Sequence, residues 1–88
     1  MLREAVAKRL IELMEQRNLS LNGLARLAAV PPSTLKNIIY GKSKNPGVVT
    51  LKLLCDGMGI SITEFFDSPL FSELEIEDID WFSHIMTW

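Results

Sequence analysis

This sequence predicts an all-α fold: a compact bundle of five short helices, followed by an acidic, aromatic C-terminal tail. Three observations lead there. Apolar residues recur with the helical period of about 3.6 residues through most of the first 67 positions. The periodic stretches are bounded by start and stop signals at Ser20, Pro31-Pro32, Gly41, Gly59 and Ser61. Finally, 88 residues at 48% hydrophobic and 23% charged suit one packed domain and are too apolar for a disordered chain.

The first helix is expected from Leu2 to Arg17, with Leu2, Val6, Leu10, Leu13 and Met14 forming its apolar stripe. Asn18 and Leu19 break the pattern. Ser20 reads as the N-cap of a second helix, its hydroxyl able to accept from a backbone N–H two or three residues on. Leu21, Leu24, Ala25, Leu27 and Ala28 give that helix its inward face, and its small residues let another helix approach closely. Val30-Pro31-Pro32 ends it, because a residue before proline is pushed out of the α region. Pro32 suits the first turn of a third helix, where its missing N–H costs nothing. This helix runs to Tyr40 with Leu35, Ile38 and Ile39 inward, and Gly41 supplies the left-handed residue that follows.

Lys42 to Gly47 is a polar loop with strong turn chemistry. A fourth helix, Val48 to Met58, buries Leu51, Leu54, Cys55 and Met58 and stops at Gly59. Ser61 and Glu64 form a capping box that opens a fifth helix, whose Phe65 and Phe66 close the core. Residues 1–67 are therefore taken as the domain and 68–88 as a tail. In the tail, Ser68-Pro69 can start another helix and Ser72 with Glu75 is a second cap signal. Against this, the alternation from Leu74 to Trp81 has period two, which favours a strand. Both tryptophans, Trp81 and Trp88, lie in the last stretch.

The net charge of −2 conceals a division. Residues 1–45 hold eight Lys or Arg against three Glu, or +5, whereas residues 46–88 hold Lys52 against eight acids, or −7. A polyanion-binding first half and an acidic second half that meets a basic partner or keeps the chain soluble fit this split. The single cysteine, Cys55, allows no internal disulfide and suits a reducing cytoplasm. On the apolar stripe it reads as a small core residue rather than a redox sensor. One Cys and one His (His84) cannot supply the ligands of a zinc site, and no cofactor is expected. No apolar run approaches a membrane span. An enzyme is the poorest fit, since no nucleophile, His and carboxylate set exists around His84. Arg3, Lys8 and Arg9 read as solvent-exposed helix charges.

Residues 20–41, SLNGLARLAAVPPSTLKNIIYG, resemble the helix-turn-helix of the Cro/C1-type (phage-repressor-like, Xre) family of bacterial and phage regulators, through Leu24-Ala25, Val30, Leu35, Ile38 and Gly41. Asn45-Pro46 through Thr50-Leu51, and residues 54–60 leading into Ile62 to Phe66, extend the resemblance over roughly residues 5–67. It implies a sequence-specific regulator of transcription, a repressor working as a homodimer on near-palindromic double-stranded DNA, with the third helix in the major groove. It also places Pro32, Ser33, Lys36 and Asn37 where base-reading side chains sit. The whole candidate set is Ser20, Leu21 and Asn22 on the second helix, Pro32, Ser33, Thr34, Lys36, Asn37 and Tyr40 on the third, and Lys42, Ser43, Lys44 and Asn45 in the loop that holds the DNA backbone.

Three residues depart from the family's pattern. Leu21 stands where Gln is frequent, Ala29 where the turn has Gly, and Pro31 where a Ser cap is usual. The alternative reading is an antitoxin-like interaction module, whose acidic aromatic tail binds a protein partner while the helices autoregulate through DNA.

Overall fold

The computed structural model describes residues 2–41 and 46–74. These residues fold into six helices and no strand: α1 (Leu2–Gln16), α2 (Leu21–Ala28), α3 (Pro32–Ile39), α4 (Val48–Met58), α5 (Ile62–Phe66) and α6 (Pro69–Ser72). The expected five are present within a residue or so at each end, and the sixth is the short helix that Ser68-Pro69 can start. Ser68 Oγ accepts from the Leu70 N–H at 3.2 Å and caps it. The period-two stretch and both tryptophans lie outside the described residues, apart from Leu74 at its start.

Local chemistry sets the boundaries. Ser20 Oγ accepts from the Gly23 N–H at 3.0 Å and starts α2. Ser61 and Glu64 form the reciprocal capping box that starts α5. Three helices stop by one device, in which a left-handed residue turns the chain and the next N–H reaches back to a carbonyl five residues earlier. After α1 the left-handed residue is Asn18 (φ 52°), and Leu19 N–H donates to Met14 O at 2.9 Å. After α2 it is Ala29 (φ 55°), with Val30 N–H on Ala25 O at 3.0 Å. After α4 it is Gly59 (φ 73°), with Ile60 N–H on Cys55 O at 3.0 Å. In each case the reversal delivers an apolar residue, Leu19, Val30 or Ile60, to the core.

That core gathers Val6, Leu10, Leu13 and Met14 of α1 around Leu24, Ala25, Leu35, Ile38, Leu54, Cys55, Met58 and Phe65. Helix α2 lies close against α4, where a Cβ added at Gly57 would come within 3.0 Å of the Ala28 nitrogen. Glycine is thus what permits the approach.

Three apolar assignments need correction. Leu2, expected on the α1 stripe, is 46% exposed at the first position of the helix, before α1 reaches the core. Leu27 is 59% exposed, because the apolar arc of α2 is narrower than its sequence suggests: Leu24, Ala25 and Ala28 are buried and Leu21 half-buried against the core. Phe66 is 37% exposed and packs edge-on against Phe65 and Phe71, at ring-centre distances of 5.0 and 4.7 Å. Packing continues past Asp67, since α6 lies on α1 and Phe71 rests on the core.

Arg9 also departs from its expected place in solvent. Its side chain is 12% exposed; Nε donates to Phe65 O at 2.7 Å, Nη2 donates to Glu64 O at 2.8 Å, and Nη1 pairs with Glu12. Arg17, the residue just after α1, acts similarly, its Nε donating to Met58 O at 3.2 Å. Two guanidinium groups, one on α1 and one just past its end, therefore satisfy backbone carbonyls at the ends of α4 and α5.

Candidate nucleic-acid interface

The outward face of α3 is built by what its inward face buries. Leu35 and Ile38 are sealed against α1 and α2, which fixes the helix's rotation about its own axis. At helical spacing that leaves Ser33, Lys36, Asn37 and Tyr40 on the opposite side, all exposed, with Pro32 exposed at the first turn. Tyr40 is 65% exposed, a large aromatic side chain left in water. Thr34 is half-buried and lies toward the edge of this face. The helix starts without a side-chain cap, as Pro31-Pro32 implies, and the N–H groups of Thr34 and Leu35 close on Pro31 O at 3.0 and 3.2 Å.

The α2 candidates divide. Asn22 is exposed, Ser20 Oγ is engaged in capping α2, and Leu21 is half-buried against the core, so its side chain serves packing. Arg26 is exposed on the last turn of α2. Lys42, Ser43, Lys44 and Asn45 lie outside the described residues.

Electrostatics favour an anion here. No Asp or Glu occurs between Glu15 and Asp56, while Arg17, Arg26, Lys36, Lys42, Lys44 and Lys52 all do. This acid-free interval is sharper than the division into halves, and it was legible in the sequence. It contains α2, α3 and the loop after them, so no carboxylate from these segments opposes a polyanion. Polar amide and hydroxyl groups at Ser33 and Asn37, beside the Lys36 ammonium, can donate to and accept from base edges. Among the described residues no cluster of three or more His, Cys, Asp or Glu could hold a metal ion. None of their helices is long and apolar enough to cross a membrane.

Comparison with known proteins agrees with this geometry. The Helix-turn-helix family model, of Cro/C1 type, matches residues 10–65. Among solved structures, the chain is similar to the prophage Lp1 protein 11, with a TM-score of 0.72 and 39% sequence identity over 82% of this chain and 95% of that one. No curated protein matches.

Proposed function

Because the chain belongs to the Cro/C1-type helix-turn-helix family of DNA-binding transcription regulators, we propose that it reads duplex DNA by inserting α3 in the major groove, and that it represses by occupying a promoter. The observation that carries this reading is the α3 face. Ser33, Lys36 and Asn37 are exposed together on a helix whose other side is locked in the core, within an interval free of acids. In the proposed complex Ser33 and Asn37 bond base edges and Lys36 reaches guanine or a phosphate. Lys42 and Lys44 hold the backbone. Two copies related by a two-fold axis would read half-sites about one helical turn apart.

Selection from a pool of random duplexes tests the reading. A recovered site with inverted half-sites about 10 base pairs apart is the expected outcome. Recovery of no consensus, with equal retention of every duplex, would remove sequence reading from this protein.

A further inference from the structure

Helix α1 and the end of α3 enclose an open groove of about 280 Å³. Its lining includes Arg3, Lys8 and Ile11 from α1, and Ile39 and Tyr40 from α3, together with Glu4. Ile11 is 39% exposed and Tyr40 65%, so apolar surface from two helices lies open at one place beside two cations. Among the described residues, neither Arg3 nor Lys8 makes backbone contacts like those that occupy Arg9 and Arg17.

We propose that this groove is the docking site for the chain's own segment 75–88, with Trp81, Phe82 and Trp88 on its apolar surface and the preceding acids beside Arg3 and Lys8. Charge complementarity supports this occupant: residues 75–88 contain Glu75, Glu77, Asp78 and Asp80 and no Lys or Arg, whereas the groove offers two cations against one acid. The apolar parts also match. The segment holds two Trp, one Phe, Ile85 and Met86, and large amphipathic rings suit a groove with an apolar wall and a polar edge.

Reach permits it as well. The described chain ends at Leu74, just after α6, which packs on α1. Arg9 turns its side of α1 toward α5, so positions 4, 8 and 11 of the groove lie on another flank of the same helix. Fourteen residues extend to about 46–50 Å, ample to pass around a helix about 10–12 Å thick.

Both tryptophans of the protein belong to this segment, so intrinsic tryptophan emission of the intact chain reports on it alone. The wild-type chain is expected to emit to the blue of a fully solvated indole and to resist acrylamide quenching. Lys8→Glu, which reverses a groove charge, and Ile11→Gln, which removes apolar surface, should each shift emission toward the solvated position. Val49→Gln, at an exposed site on α4, should leave it in place, and far-ultraviolet circular dichroism checks that all variants keep their helix. Solvated emission in the wild type, or a blue shift untouched by Lys8→Glu and Ile11→Gln, would overturn the proposal. A blue shift that grows with protein concentration would also overturn it, assigning the groove to a second copy's segment. Tyr40 belongs to both the groove and the outward face of α3, but none of these readouts involves DNA, so failure of the docking is distinguishable from failure of the proposed operator reading.

Discussion

Lys36 and Asn37 are adjacent in sequence and both exposed on α3, and their roles in the proposed complex are separable by measurement. Replacing Asn37 with Ala should cost about 1–3 kcal/mol on the selected operator and little on random duplex, as read by fluorescence anisotropy, whereas replacing Lys36, which also supplies a cation to the phosphates, should weaken both. Equal losses of Asn37→Ala on both DNAs would mean that another element does the reading. Arg9 is different in kind: Arg9→Met keeps the apolar stem but strips two carbonyls and Glu12 of their partner. A loss of about 1–3 kcal/mol is expected, which for a domain of this size lowers Tm by roughly 4–8 °C per kcal/mol. Burial pushes the Cys55 thiol above its ordinary pKa of 9.0, with Asp56 adding to the shift and Lys52 opposing it. A raised folded pKa keeps the thiol protonated in the native state while the unfolded chain ionises first. Stability from this group is therefore intact below about pH 9 and declines as pH rises further. The urea midpoint should fall more steeply from about pH 8 to 10 in the wild type than in Cys55→Ala. The core role of Cys55 was legible from periodicity. The role of Arg9 was not, because its carbonyl partners stand 55 and 56 residues away and no local pattern pairs them.

Among the helices, the closest approach is that of α2 and α4 at Gly57 and Ala28. An alanine at position 57 would gain about 1 kcal/mol of helix propensity. It would also push a methyl to 3.0 Å from the Ala28 nitrogen and 3.1 Å from its Cα, and backbone yields less easily than a side chain. Gly57→Ala is therefore expected to destabilise the fold by about 1–3 kcal/mol in urea unfolding. A neutral or stabilising result would show that the two helices can part without loss. Helix ends were the most legible part of the fold, since Ser20, Ser61, Gly41 and Gly59 carry their chemistry within three or four residues. Ala29 was legible too: its place in the turn required a left-handed backbone, and its φ is 55°. The width of each buried arc was harder. Leu27 and Phe66 fit an apolar spacing, but how far a helix sinks depends on neighbours that spacing does not name.

At the scale of the molecule, the +5 and −7 halves of the sequence translate only partly into surface. Arg9 and Arg17 are committed to backbone carbonyls, which leaves Arg26 and Lys36 exposed on the helices of the proposed interface. Counted with Lys42 and Lys44, these give about eight phosphate contacts in a dimer, so log K should fall with log salt at a slope near −7. A slope near zero in anisotropy titrations across salt would remove the cations from the interface. The family and the position of its third helix were legible because the motif is local. The flanking α6 rested on a short cap signal that a competing period-two pattern obscured.

The guanidinium contacts of Arg9 and Arg17 have a consequence for how a nascent chain matures. Arg17 meets its carbonyl 41 residues downstream, and Arg9 meets its two 55 and 56 downstream. A ribosome that has released α3 has already delivered every side chain of the reading face, yet neither of these anchors nor the seat of Ala28 against Gly57. Such late closures delay the final geometry until α5 has been made. The side chains proposed to read DNA are therefore translated, and α3 seated on α1 and α2, before the carbonyls that Arg9 and Arg17 hold exist, so the frame around that face closes after the face itself is made.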